Sequence, residues 1–234
     1  MIGKKMLVLA GAAAVLVPVF AQAAFKLELS DGLTTVSVTD NGTGDLDSTP
    51  GQILFAGTVG GFTTNLTGGL SNRIVGGDGA SLQLQSIDIR NGGPSGTLTL
   101  RLTDTSFQLP AGDQQLNSAL ALTFTKSLAG NSANFQSFID PNNLEFATTT
   151  PAMTLAFTSP GSVTPVSGSG STNLSLSGSN LFSLTNQAVI TLASGAQVNL
   201  SGTTTVNTVN NVPEPATLGL MGLSGLLVFR RRTT

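Results

Sequence analysis

Asp40, Asn41, Asp45 and Asp47 lie close together on a glycine-rich stretch, Asp40-Asn41-Gly42-Thr43-Gly44-Asp45-Leu46-Asp47. Carboxylate and amide oxygens on such a loop suit calcium, a hard cation that takes oxygen ligands at about 2.3–2.6 Å. The spacing is not that of an EF-hand, and no glutamate closes the loop. Asp, Asn and Gly are also the residues turns use, because short polar side chains bond the nearby backbone and glycine accepts positive φ. The spacing favours the turn over the ion. Other chemistry is limited by what the chain lacks, which is every histidine, cysteine, tryptophan and tyrosine. Ser-His-Asp and Cys-His nucleophiles are therefore excluded, and zinc loses its usual nitrogen and sulfur ligands. The stretch Gly222-Leu223-Ser224-Gly225 only approaches a G-x-S-x-G elbow, and no phosphate-binding glycine loop occurs. Paired carboxylates could still serve glycoside hydrolysis. A carboxylate-only hydrolase is the remaining enzyme class, but chance pairs are expected among so many acids, and the expectation is no enzyme and no catalytic residue.

The last residues hold a second constellation, whose chemistry is recognition. Val212-Pro213-Glu214-Pro215 precedes an uncharged apolar segment, Ala216 to Phe229, and the chain then runs Arg230-Arg231-Arg232-Thr233-Thr234. Two prolines fix φ and remove two backbone donors, so the tetrapeptide stays extended or kinked with Glu214 as its one charge. The apolar segment suits hydrocarbon, and three consecutive arginines resist crossing a membrane. As a helix at ~1.5 Å per residue the segment would be roughly 21 Å long, short of the ~30 Å hydrocarbon core. A permanent anchor is usually longer; a transient processing substrate need not be.

These residues resemble the PEP-CTERM sorting signal, with its Pro-Glu-Pro motif, short Gly/Leu-rich membrane segment and terminal arginine cluster. The resemblance covers residues 212–234 and implies a Gram-negative secreted protein. It also implies an exosortase-type membrane processing enzyme as partner and transient residence in the inner membrane. Such proteins tend to accompany exopolysaccharide and biofilm production, so the implied role is a surface-sorted, non-enzymatic extracellular matrix component.

At the other end, residues 1–23 read as a secretory signal peptide. Lys4 and Lys5 form its positive start, Met6 to Phe20 its apolar core, and Ala21-Gln22-Ala23 a small-x-small cleavage site. Between the two signals, Ala24 to Asn211 carries five basic and eleven acidic residues, a net charge of −6. Nucleic acid is not an expected partner, since phosphate binding needs clustered Lys and Arg.

The elements that must position any site are strands. Leu98, Leu100 and Leu102 alternate with polar residues, as do Leu120, Leu122 and Phe124. Further strands are expected at 34–39, 52–59, 62–66, 82–90, 154–157, 173–177, 188–192 and 197–206. Val59-Gly60-Gly61-Phe62 has the glycines a type I′ hairpin needs. The predicted class is all-β, an antiparallel sandwich or jelly roll over 24–206, with a short C-terminal transmembrane helix. Ser159 to Thr172 reads as a surface loop within that one unit, and residues 207–211 as a polar linker. Phe182-Ser183-Leu184-Thr185 followed by Val189-Ile190-Thr191-Leu192 is similar to the closing strands of PEP-CTERM proteins. Sugar platforms usually use Trp or Tyr, which this chain lacks, so a calcium-dependent carbohydrate-binding or adhesion module is the alternative function, with contact expected to be diffuse.

Overall fold

A computed structural model describes residues 24–73, 79–126, 130–163, 165–177 and 180–209. The expected signal peptide, with Ala21 and Ala23, and the expected C-terminal signal and transmembrane segment lie outside them.

Thirteen strands follow one another: β1 (Lys26–Ser30), β2 (Thr35–Thr39), β3 (Gln52–Val59), β4 (Phe62–Asn72), β5 (Gly79–Asn91), β6 (Gly96–Phe107), β7 (Gly112–Lys126), β8 (Ser132–Asp140), β9 (Thr150–Pro151), β10 (Leu155–Thr158), β11 (Pro165–Leu176), β12 (Phe182–Leu192) and β13 (Gln197–Thr208). They form two antiparallel sheets, ordered β10-β8-β12-β6-β1-β2, with β9 also on β8, and β11-β7-β13-β5-β4-β3. Period-two alternation turns one row of each sheet inward. Leu98, Leu100 and Leu102 of β6 and Ala188, Ile190 and Leu192 of β12 share one core with Leu82, Leu84, Ile87 and Ile89 of β5 and Leu120, Leu122 and Phe124 of β7. The sheets approach closely where glycine leaves room: a Cβ on Gly202 of β13 would stand 2.5 Å from the Phe135 ring of β8. The expected hairpin forms, with Val59 opposite Phe62, but its turn is not type I′: Gly60 takes φ 55° while Gly61 does not take a positive φ.

Three expectations need correction. Much of Ser159–Thr172 is strand, since β11 runs from Pro165 and pairs without interruption along β7, Pro165 with Thr123 through Leu176 with Gly112. Its Ser/Gly composition looks like a linker, but Val166, Leu174 and Leu176 alternate against the core. Gly168 and Gly170 carry no side chain on that face because Phe157 and Met153 occupy the space. Second, the polar linker begins too early at residue 207, because Asn207 and Thr208 continue β13 opposite Gln115 and Gln114. Third, β1, β8 and the two-residue β9 have no counterpart among the expected strands. In β8 the alternation Ala133, Phe135, Ile139 is interrupted by a polar residue, Ser137, that is itself buried.

Candidate functional site

The acidic loop lies between β2 and β3, where it is folded on its own donors. Asp40 accepts from the Gly51 N–H at 2.9 Å and from the Asn41 side-chain amide at 3.0 Å. Asp45 accepts three backbone N–H groups: Asn41 at 2.9 Å, Asp47 at 3.0 Å and Leu54 at 2.9 Å. Asp47 accepts from the Thr49 N–H at 2.8 Å, and the Thr49 backbone and hydroxyl hold its carboxyl below the usual range. Asn41 takes a left-handed backbone at φ 57°, which Asn tolerates better than most residues. Together with Leu46 N–H donating to the Leu54 carbonyl at 2.8 Å, Asp45 engages both backbone groups of Leu54 on the outer edge of β3. The four predicted ligands thus lie along one turn that caps a sheet edge, with the three carboxylates bonded to separate donors. Among the described residues, no three His, Cys, Asp or Glu side chains are grouped to hold one metal ion.

Asp45→Ala would leave three N–H donors without their acceptor. Hydrogen bonds to a charged group are worth about 1.5–3 kcal/mol each when buried, and less here because the loop is partly exposed. The expected loss is about 2–3 kcal/mol, a fall in melting temperature of roughly 4–12 °C for a domain of this size. The wild-type curve should be the same in millimolar calcium as in chelator, as mass action requires when no ion binds the native state. A calcium-dependent rise abolished by Asp45→Ala would instead mark a bound ion.

Two further carboxylates are buried, and each serves its own structural task. Asp104 of β6 accepts the Ser71 hydroxyl, the Arg73 Nε–H at 3.1 Å and the Thr105 N–H at 2.8 Å. It thereby ties the end of β4 in one sheet to β6 in the other. Burial nevertheless raises its carboxyl above the usual range, so its stabilising contribution is largest at low pH and is lost as pH rises through that raised value. Asp140, at the end of β8, organises the following loop by accepting the Leu144 N–H at 2.9 Å and the Thr149 hydroxyl at 2.8 Å. Burial opposes ionisation there, but these bonds and the Asn142 contacts outweigh it, and the carboxyl lies below the usual range. Its contribution has the opposite sign, present above the ordinary carboxylate range and lost as pH falls.

A feature that the sequence reading missed crosses the core itself. The Ser118 hydroxyl of β7 donates to Ser137 of β8 at 2.8 Å, Ser137 bonds Thr204 of β13, and Thr204 donates to the Asn186 side chain of β12. Asn186 then donates to the Leu82 carbonyl of β5 at 2.9 Å. All four side chains are buried, and the chain passes from sheet to sheet at every bond. The signal was available: each polar residue occupies an inward position of its strand's alternation, as with Ser118 between Leu116 and Leu120.

The outward face of β11, β7 and β13 is a shallow surface of small polar residues, including Ser167, Ser169, Ser171, Asn117, Thr203 and Thr205. It offers no ring for stacking. Of the described phenylalanines, eight are buried, while Phe146 and Phe157 are half-buried and Phe146 lies under the Arg101 guanidinium at 5.2 Å.

Residues 211–232 match the PEP-CTERM protein-sorting motif. The chain therefore carries this motif, and the match includes Val212, Pro213, Glu214, Pro215, Arg230, Arg231 and Arg232, all outside the described residues. No curated protein matches the chain. Among solved structures it is similar to the enzymatically active domain of bacteriophage CBA120 tailspike protein 4, at 14% identity and a TM-score of 0.27 over 68% of this chain and 20% of that one. The chain thus spans about a fifth of that protein's length. A mannan-recognising carbohydrate-binding module shares 10% identity and a TM-score of 0.28, over 68% of this chain and 96% of that one. A protein of infectious bursal disease virus, Gx strain, shares 13% identity and a TM-score of 0.35, over 88% and 55%. Likenesses this weak carry no argument about ligand or activity.

Proposed function

We propose that this is an exported, surface-sorted, non-enzymatic β-protein, processed at its C-terminus by an exosortase-type membrane enzyme and retained as a component of an exopolysaccharide-rich matrix. The observation that carries the reading is the PEP-CTERM motif at residues 211–232. Its parts divide the work. Arg230, Arg231 and Arg232 halt translocation, because a charge at the membrane centre costs roughly 2.5–3.5 kcal/mol. The short span then holds Val212-Pro213-Glu214-Pro215 at the outer face as an extended peptide with one charge, ready to enter a protease-like cleft. A body without histidine or cysteine, whose loop and buried carboxylates are occupied by donors of the same chain, is suited to structure more than to turnover. Its contact with polysaccharide would be diffuse, through the Ser, Thr and Asn side chains of the outward face. Intact mass of the mature protein from its native host tests the processing on which this reading depends.

A further inference from the structure

A sheet has two edges, and an open edge presents unpaired N–H and C=O groups that can template another strand. Of the four edges among the described residues, three are blunted. β10 has only four residues and β2 only five. β3 bends at an irregularity between Phe55 and Gly57, and its outer edge is occupied by the acidic loop through both backbone groups of Leu54. β11 is the exception. It has 12 residues, spanning about 40 Å at the usual rise. It pairs with β7 without a bulge, contains no Lys, Arg, Asp or Glu, has its proline only at the first position, and is nowhere buried.

We propose that the free edge of β11 pairs antiparallel with β11 of a second copy of this chain about a twofold axis. The strand is complementary to itself in every respect that pairing tests. Residues directly opposite in an antiparallel pair share a face. A twofold centred on Gly170 would set Val166 opposite Leu174 on the core side and Ser169 opposite Ser171 on the outer side, so both surfaces continue across the junction. No charge meets its like within the strand, although two bodies of net charge −6 repel at longer range. Salt should therefore strengthen the association by screening. The Val209 N–H donates to the Asp113 carbonyl at 2.8 Å from the β13 side of β7, so the last described residue stands two strands in from this edge and leaves β11 itself uncovered by β13. Because a twofold contact consumes the one open edge that the described residues present on each copy, assembly closes at a dimer.

Sedimentation equilibrium on protein purified from its host, whether or not it retains residues 211–234, tests the proposal over a roughly hundredfold concentration range. A monomer–dimer equilibrium that tightens with salt is expected. In the triple variant Ser167→Lys, Ser169→Lys, Ser171→Lys, residue 169 of each copy meets residue 171 of the other as a like charge, while residue 167 faces Asn173. All are exposed positions, and dimer affinity should fall by ~10-fold or more while the melting temperature of the monomer is kept. Hydrogen exchange should show amides of β11 gaining protection as concentration rises. Three results would each overturn the proposal: a monomer at every concentration, a dimer of unchanged affinity in the triple-lysine variant, or β11 protection independent of concentration. The last would mean that a segment of the same chain occupies the edge.

Discussion

Glu214→Ala is expected to leave the protein exported and folded but uncleaved at its C-terminus, with processed product falling to a background level. The substitution removes the one charge of the motif and leaves Pro213 and Pro215, whose rings restrict φ and the preceding residue, in place. The body should fold without this residue, because every strand and core residue among the described residues precedes it, β13 ending at Thr208. Immunoblots of host fractions for the unprocessed form give the readout. Replacing Arg230, Arg231 and Arg232 with serine should produce a different failure, full-length protein slipping outward, since the stop is lost and the recognition peptide is kept. Wild-type processing in the Glu214→Ala protein would show that recognition rests elsewhere in the tail.

Asn186→Leu should cost about 3–4 kcal/mol of stability. Asn186 joins the sheets by donating to the Leu82 carbonyl and accepting from Thr204, whose hydroxyl continues to Ser137 and Ser118. Leucine fills similar volume but strands buried polar atoms, each worth about 1–3 kcal/mol when unsatisfied. The combination Ser118→Ala, Ser137→Ala, Thr204→Val, Asn186→Leu removes every member of the network. It should recover much of that loss, because a fully apolar path strands no side-chain hydroxyl or amide along it. Chemical denaturation of both variants checks this. Equal stability of the single and quadruple variants would mean that the bonds contribute little and the cost is one of packing.

The same network explains why the fold was legible in some strands and not in others. Leu98, Leu100 and Leu102 announce a strand because apolar and polar residues alternate without interruption, and all three are buried as that pattern requires. β8 was hidden by Ser137, whose burial depends on partners in β7 and β13 that are distant in sequence. β11 was hidden by composition. Ser and Gly usually mark flexible chain, and only Phe157 and Met153 packing over Gly168 and Gly170 gives those glycines a reason to lie in a strand. The acidic loop presented the opposite problem. Its residue types suited calcium, but the donors that claim Asp40 and Asp45 include Gly51 and Leu54, eleven and nine residues onward, which face the loop only once β3 has formed. The C-terminal motif was legible because its parts are contiguous in sequence, so reading it requires no tertiary contact.

The central claim is that the C-terminal motif is a processing signal, and intact-mass spectrometry of the mature protein from its native host tests it most directly. The account predicts a species that begins near Ala24 and lacks the Ala216–Phe229 segment and Arg230, Arg231 and Arg232. A mature protein still ending at Thr234 would contradict it and leave a plain membrane anchor.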